Sequence, residues 1–291
     1  MSRSRERTVL WVSVAAVALW TLLPFAGTIW ASLMTEGQLV RGLIQWNDSP
    51  TFANYLAIFG FGQVSAVFGG QAAAIGRAFV NSIIVALPVA IIGTAISVLG
   101  GYAFGRYRFP LKNTLLFALL TTRIMPPIAV IIPYFAIFAA LRLIGSPVGL
   151  ILIYLTSVVP LLTWVMTGYF GSLPVEIERA ARIDGCSRLG ALWHIMIPMA
   201  APGIAAAFII AFLIAWNELL FGMVIVGGSP AETLSPALLG LSPNMPGFRT
   251  VFVMFAAASI LSTIPPLVLA VMFQRYITSL NIADPVTVQQ D

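Results

Sequence analysis

The hydrophobic pattern of this 291-residue chain consists of long apolar runs separated by short polar connections. A helix needs about 20 apolar residues to cross a hydrocarbon core about 30 Å thick, and six runs are that long. Lipid cannot hydrogen-bond to exposed backbone groups, so each run must be helical. The pattern therefore predicts an all-α, polytopic membrane helix bundle with about six transmembrane helices. We place the spans near 9–34, 77–105, 112–141, 148–170, 200–227 and 248–276.

Composition supports the same class. Hydrophobic residues make up 59% of the chain and charged residues 9%, whereas soluble domains carry about 25% charged residues. The repeated runs favour one transmembrane domain over 1–291. Cys186 is the only cysteine, which excludes an internal disulfide and a cysteine-rich metal site. The first run is longer than the roughly 7–15 residues of a signal-peptide core, which favours an uncleaved first span.

The basic residues predict the orientation. Ten of the 15 Lys and Arg residues precede span 1, follow span 6 or lie between spans 2 and 3 or 4 and 5. Basic residues are retained on the cytoplasmic side during insertion. We therefore expect both termini in the cytoplasm. Because the cations lie in these short connections, the net charge of +5 does not indicate nucleic-acid binding.

The connection between spans 4 and 5, residues 171–198, is the most informative segment. Pro174 suits the first turn of a helix that begins near Ser172, and Gly185 can end that helix in a left-handed conformation. A second short helix is expected from about Ser187 to His194. Such a helix–turn–helix can dock into a cleft of a soluble partner.

The same segment resembles the EAA loop of ABC importer permeases. That pattern is Glu-Ala-Ala, three residues, Gly, nine residues and Ile-x-Leu-Pro. Here Ala180, Ala181 and Gly185 match it, and Ile195-x-Ile197-Pro198 closes it. Arg179 stands in the position of the motif's Glu, which reverses the charge there.

The wider chain, roughly 5–280, resembles the smaller, six-span permease of the maltose-type carbohydrate importers. Three segments carry this likeness: Thr122-Arg123-Ile124-Met125-Pro126-Pro127, Trp216-Asn217-Glu218-Leu219-Leu220-Phe221 and Phe273-Gln274-Arg275-Tyr276. The resemblance implies the type I ABC importer permease fold and a location in a bacterial or archaeal plasma membrane. It also implies partners: a second homologous permease, two ATPase subunits that bind ATP and Mg²⁺, an extracytoplasmic solute-binding protein and a carbohydrate substrate.

In such permeases the EAA loop forms a coupling helix that sits in a groove of the ATPase. The family's Glu contacts a basic residue there. Because Arg179 replaces it, we expect the neighbouring Glu178, or Glu176, to make that contact. The resemblance assigns ATPase coupling to Glu176, Glu178, Arg179, Ala180, Ala181, Asp184 and Gly185.

Two ionisable residues lie inside predicted spans, Arg123 in the third and Glu218 in the fifth. Ionisable groups at such depth cost at least ~2.5 kcal/mol and usually face a bundle interior or a wet cavity. We expect Arg123 to pair with Glu218 beside Asn217. The pair would either line the translocation path or gate, together with Trp216, or only fix helix register. Aromatic residues in these spans could stack on a sugar ring or simply pack.

Several kinds of chemistry have no motif in the chain. It contains no Gly-x-x-x-x-Gly-Lys-Ser/Thr loop for ATP phosphates and no His-Glu-x-x-His metal motif, and its single histidine lies in no recognisable triad. The sequence therefore predicts a non-catalytic permease without a cofactor or metal of its own. An ion-coupled secondary transporter is the alternative from another class, and a polyol or glycerol-phosphate is the alternative substrate.

Overall fold

The computed structural model describes residues 3–42, 49–61, 69–241 and 248–278. Within these ranges all regular secondary structure is helical, which confirms the all-α prediction. The described ranges contain fourteen α-helices, with one π-helical turn (Leu192–Met196) between α9 and α10. They are α1 (Arg3–Ser32), α2 (Glu36–Arg41), α3 (Ala53–Ile58), α4 (Gly69–Arg106), α5 (Lys112–Thr121), α6 (Pro127–Ala140), α7 (Pro147–Ser172), α8 (Val175–Ile183), α9 (Arg188–Ala191), α10 (Ile197–Met199), α11 (Ala201–Trp216), α12 (Leu220–Ile225), α13 (Leu234–Leu239) and α14 (Phe248–Thr278).

Four helices, α1, α4, α7 and α14, are long and apolar enough to cross a membrane. They coincide with the first, second, fourth and sixth predicted spans. A fifth candidate is the bent pair formed by Arg188–Met199 and Ala201–Trp216. In the described part of the chain, length and composition thus support four or five spans, against the six that were predicted.

The third predicted span, 112–141, is not one helix. It divides into α5 and α6 at residues 122–126. Pro126 and Pro127 explain the break, because proline lacks an N–H and disfavours helical geometry in the residue before it. The ten residues of α5 extend only about 15 Å, about half of a hydrocarbon core. The fifth predicted span, 200–227, is also interrupted, between Trp216 and Leu220.

The described residues fall into two compact units, 1–77 with 237–264, and 78–236 with 265–291. In the first unit, polar side chains hold the segment after α1. Asn54 Nδ2 donates to the carbonyls of Ser32 (2.9 Å) and Met34 (2.8 Å). Thr35 and Gln38 form a capping box that starts α2. The start of α4 approaches α3 so closely that a Cβ on Gly76 would overlap the carbonyl of Ile58.

The second unit is built around α7. One face of this helix is buried, with side chains at intervals of three or four residues along a helical stripe. The stripe consists of Leu150, Ile153, Tyr154, Val158, Leu162, Met166 and Phe170.

Glycines let α4 approach α7. A Cβ on Gly93 would lie 2.9 Å from Val158 Cγ1, and one on Gly105 would lie 3.0 Å from Phe170 Cβ. Between them, a Cβ on Gly101 would overlap Met166. Small residues at such spacing allow close packing of membrane helices, where van der Waals contact replaces the hydrophobic effect. This contact fixes the last turn of α4 beside the end of α7, where the polar connection to α8 begins.

Candidate coupling site and membrane charges

The polar segment between α7 and α11 begins with a sharp change of direction. Pro174, in extended conformation at φ −57° and ψ 127°, separates α7 from α8. Ser172 does not cap α8, because its hydroxyl donates to the Tyr169 carbonyl at 2.8 Å and α7 continues to Ser172 itself. Glu176 and Glu178 lie in the first turn of α8, where carboxylates favour the positive end of the helix dipole.

The end of α8 agrees with the sequence-based prediction. Gly185 has φ +90°, a left-handed conformation. Its neighbour Cys186 donates its N–H back to the Ala181 carbonyl at 3.0 Å, which satisfies an otherwise free helix carbonyl. The chain can therefore reverse tightly and begin α9 at once, with Ser187 Oγ accepting from Gly190 N at 3.0 Å.

The return toward the membrane contains an irregular turn. Ile197 donates its N–H to Leu192, five residues earlier, which defines the π-helical turn Leu192–Met196. Pro198 follows and has no N–H for an α-helical bond. A bend of 78° then separates Arg188–Met199 from α11. Leu192 and Met196 are buried at this turn. The polar segment between α7 and α11 is therefore packed against the rest of the chain at the end that leads into α11.

Glu178 is the polar anchor of α8. Its side chain is only 11% exposed and forms an ion pair with Arg106, with Oε2 3.2 Å from Arg106 Nε. Its other oxygen, Oε1, accepts a hydrogen bond from the Tyr102 hydroxyl at 2.7 Å. Both partners lie in the last turns of α4. Hydrogen bonds to an ionised group are stronger than neutral ones, so this contact fixes α8 to the end of α4.

Arg106 connects three parts of the polar segment. Besides Glu178, its Nη2 donates to the Pro174 carbonyl at 3.1 Å, at the start of α8. The same nitrogen lies 3.9 Å from Met196 Sδ, in the π-helical turn. The side chain of Arg106 is 6% exposed. One buried cation thus holds the beginning, the middle and the return of the segment together.

The predicted coupling residues separate into two faces. Glu176, Arg179, Ala180, Asp184 and Gly185 are exposed. Ala181 and Glu178 are buried against the rest of the chain.

This arrangement corrects the expectation that Glu178 would pair with a basic residue of an ATPase. Its carboxylate faces inward and is occupied by Arg106 and Tyr102. The physical reason is helical phase, since Glu178 lies on the same face as the buried Ala181, three residues later. The sequence did not predict Tyr102 and Arg106 as partners of Glu178, because Arg106 was used only as a basic residue that indicates orientation. The available signal was a Tyr and an Arg four residues apart, on one helical face, at the end of a span.

The predicted pairing of Arg123 with Glu218 is wrong. Both residues lie in the described part of the chain, and no ion pair joins them there. Each instead bonds to backbone groups near an interruption in a helix. Helix ends leave N–H and carbonyl groups without intrahelical partners, and these compete with a distant charge.

Arg123 lies in the break between α5 and α6 and stabilises α7. Its Nη1 donates to the Ser157 carbonyl at 2.6 Å. Pro160 has no N–H to donate to the Thr156 carbonyl, so the carbonyl of α7 that loses its helical partner lies one residue before Ser157. Ser97 of α4 donates to the nearby Val159 carbonyl at 3.4 Å. Side chains thus supply donors around the interrupted turn. The Arg123 residue itself is exposed in the isolated chain.

Glu218 caps α12. Its two carboxylate oxygens accept from Phe221 N and Gly222 N, each at 3.0 Å. A carboxylate at a helix N-terminus satisfies free N–H groups and interacts favourably with the helix dipole. Tyr154 and Thr233 place their hydroxyls beside Gly222, where an added Cβ would lie 3.4 Å and 3.2 Å from them. Glu218 therefore lies in a polar cluster at the interruption after α11.

The two residues before Glu218 have structural contacts: Trp216 packs against other aromatic rings, and Asn217 caps the end of α11. Trp216 is buried, stacks on Phe212 at 5.4 Å between ring centroids and meets Phe79 edge-on at 5.9 Å. Asn217 is exposed, and its Nδ2 donates to the Leu213 carbonyl at 2.9 Å, at the end of α11. Of these two candidates for the translocation path, only Asn217 presents a polar group to the outside of the isolated chain.

No metal centre emerges from the described residues, which contain no cluster of three or more His, Cys, Asp or Glu side chains that could hold an ion. The strongest polar feature is the Glu178–Arg106–Tyr102 contact in an otherwise apolar helical protein. Apolar helices long enough to cross a membrane, with the amphipathic helix α8 anchored at the end of α4, define an integral membrane protein.

The family comparison agrees with this class. Residues 96–279, more than half of the chain, match the model of the family described as "Binding-protein-dependent transport system inner membrane component". The chain belongs to this family, the membrane-embedded permease subunits of ABC importers. The match includes α7, α8 and the whole of the 172–198 segment.

Two relatives align with most of the chain. The sulfoquinovosyl glycerol transport system permease protein SmoH of Agrobacterium fabrum is 32% identical over 89% of this chain and 86% of its own length. The trehalose transport system permease protein SugB of Mycobacterium tuberculosis is 30% identical over 85% of this chain and 84% of its own length.

A solved structure has the same fold. The crystal structure of a bacterial ABC transporter involved in the import of the acidic polysaccharide alginate contains a chain that superposes with a TM-score of 0.75. The match covers 95% of this chain and 99% of that chain at 22% sequence identity. The polytopic helical permease fold expected from the EAA-type loop is thereby confirmed.

Proposed function

We propose that this chain is the permease subunit of an ATP-driven, binding-protein-dependent importer of a carbohydrate. Its membership of the inner-membrane component family supports the transport role. The two relatives named above are permeases of transport systems for sulfoquinovosyl glycerol and for trehalose, which supports the substrate class. A polyol or glycerol-phosphate is the alternative cargo.

The proposed complex contains a second homologous permease, two ATPase subunits and an extracytoplasmic solute-binding protein. ATP and Mg²⁺ would bind to the ATPases, because this chain carries no phosphate-binding loop. The chain itself would catalyse no reaction. In this arrangement the 172–198 segment and both termini face the cytoplasm, as the distribution of basic residues favours.

One observation carries the coupling role: Glu178, Arg106 and Tyr102 bind α8 to the end of α4. A helix held in this way moves together with the helix that anchors it. When the ATPases close on ATP, displacement of α8 would therefore reach α4, and through the glycine contacts also α7. This is the physical link that alternating access requires.

The outer face of α8 is suited to docking. Ile183 at its tip is 86% exposed and Ile177 is 40% exposed, although both are apolar. Arg179 lies between them and is exposed as well. An apolar projection beside a cation fits a hydrophobic groove with a carboxylate at its edge. At this position the family's Glu contacts a basic residue of the ATPase. Because Arg179 reverses the charge, we assign an acidic residue of the ATPase as its partner.

We assign the translocation path or gate to the neighbourhood of the two helix interruptions. Arg123 and Asn217 are exposed polar residues there, and Glu218 with Trp216 shapes the second interruption. Interrupted helices in transporters tend to line cavities, because free backbone groups are tolerated only there.

The test is a photo-crosslinking amino acid at Ile183 in the assembled transporter, with Phe61 as the control position. Ile183 should crosslink to an ATP-hydrolysing subunit, and the crosslink yield should change when ATP is bound. Phe61 is also exposed and apolar, but it lies between the first and second spans. If the N-terminus is cytoplasmic, that connection lies on the opposite side of the membrane, so Phe61 should give no such crosslink.

Uptake by vesicles separates the remaining classes. Sugar accumulation should require ATP and persist when a protonophore removes the ion gradient. Failure of Ile183 to contact any ATPase, together with uptake driven by the ion gradient alone, would exclude the importer.

A further inference from the structure

A second feature of the α4 and α8 region is a polar pocket of about 570 Å³. It is formed by the end of α4, the connection to α5 and the start of α5 on one side, and by α8 and α9 on the other. Six of its lining residues are Arg or Lys: Arg106, Arg108, Lys112, Arg179, Arg182 and Arg188.

The pocket carries a large excess of positive charge. Glu178 is the only carboxylate among the residues that line it, and this carboxylate pairs with Arg106. Five cationic residues remain, and four of them, all but Arg179, lie outside the proposed contact with the ATPase. One of them, Arg188, is held over the Tyr107 ring at 5.2 Å, which fixes its position in the pocket. Like charges gathered in one concave site repel one another, and a bound anion removes that cost.

The position of the pocket indicates where the anion comes from. Arg106 is the last residue of the membrane-spanning helix α4, and Lys112 is the first residue of α5. One turn into α5, Leu115 is 50% exposed, and Phe117 beyond it is 68% exposed. The cations thus lie where apolar helix surface ends, which is the level of lipid headgroups. The N-terminus of α5 adds free N–H groups, because Leu111 provides no side-chain cap.

We propose that this pocket binds the phosphate of an anionic phospholipid headgroup, whose acyl chains lie along the apolar surface of α5. Basic pockets at the membrane surface between transmembrane helices select such headgroups. The bound phosphate would neutralise the cations on both sides of the pocket and connect the start of α5 to α8. The lipid would then be a structural part of the coupling region.

The test compares lipid retention by the purified, assembled transporter with that of a double variant, Arg108→Gln with Lys112→Gln. Neither residue belongs to the proposed coupling face. Native mass spectrometry during titration with phosphatidylglycerol or phosphatidylcholine gives the affinity for each lipid. Arg142→Gln is the control, because Arg142 follows the far end of α6. The double variant should bind phosphatidylglycerol about 30-fold more weakly, at roughly fivefold per basic residue, and phosphatidylcholine unchanged.

Three results would overturn the proposal. Equal phosphatidylglycerol affinity in the double variant and the wild type would show that the pocket is not the lipid site. Displacement of the lipid by millimolar inorganic phosphate would identify a soluble anion as the ligand. Phosphatidylglycerol binding only after the ATPases are removed would assign the pocket to the ATPase interface. The crosslink from Ile183 is measured separately, so it can succeed or fail independently of lipid binding.

Discussion

Replacement of Glu178 by Gln tests the anchor of the coupling segment directly. The side chain keeps its size and can still accept from Tyr102, but the charge that faces Arg106 is lost. Arg106 is 6% exposed and lies 3.2 Å from the carboxylate through Nε. Removing one partner of a buried ion pair costs about 3–5 kcal/mol, because the other charge stays buried without compensation.

That cost changes an equilibrium that can be measured. At about 1.4 kcal/mol for each factor of ten, 3–5 kcal/mol shifts the balance between anchored and released α8 by roughly two to three and a half orders of magnitude. Cys186, the only cysteine of the chain and an exposed one, follows α8 directly and can carry a spin label. In the permease without ATPases, the label should become markedly more mobile in Glu178→Gln. ATP hydrolysis in the full complex should lose its dependence on the loaded binding protein.

Glu176→Gln is the matched control, since it changes the same residue type in the same helix at an exposed position. It should leave label mobility in the permease unchanged. If Glu178→Gln gives the same spectrum as the wild type, the ion pair does not hold α8, and the coupling path through α4 is refuted.

Three further predictions concern packing and caps. Gly101→Leu should prevent stable folding, because even a Cβ there overlaps Met166, and size-exclusion profiles should show aggregation. Gly168→Leu is the control and should give a normal profile, because a Cβ at that position would have nothing within 4 Å. Tyr102→Phe keeps the ring contacts but loses the hydrogen bond to the Glu178 carboxylate, so it should lower the free energy of unfolding by about 1.5–3 kcal/mol. The loss should appear as a lower midpoint of denaturant unfolding in mixed micelles. An unchanged midpoint would mean that the hydroxyl is not bonded. Glu218→Ala removes the cap of two N–H groups and should lower the free energy of unfolding by about 1–2 kcal/mol in the same assay. Glu218→Gln should give an intermediate loss. Equal losses in the two variants would argue against a capping role.

The sequence was sufficient for features that depend on neighbouring residues. Long apolar runs located α1, α4, α7 and α14, and Gly185 marked the end of α8. Local sequence also explains why the third predicted span, 112–141, was wrong. The prolines after α5 were visible in the sequence, but the apolar run around them was long enough to be taken for one continuous span.

Contacts between distant residues were not predictable from patterns. Tyr102 and Glu178 are 76 residues apart in the chain, and only the packing of α4 on α7 brings them together. The expected pair of Arg123 and Glu218 rested on opposite charge alone. It ignored nearby backbone groups: the Ser157 carbonyl accepts from Arg123, and N–H groups at the start of α12 donate to Glu218.

The exposure of α1 has a consequence for biogenesis. None of the residues in its most apolar stretch is buried within the chain, and large side chains such as Trp20, 85% exposed, project from it. Its partition into the bilayer is therefore driven by hydrophobicity rather than by contacts with later segments. This helix can be inserted during translation before the rest of the polypeptide exists. Exchange of its exposed part, residues 9–27, for an unrelated apolar helix of equal length should leave the remaining fold intact, whereas Ala31 and Ser32 are buried and should be kept.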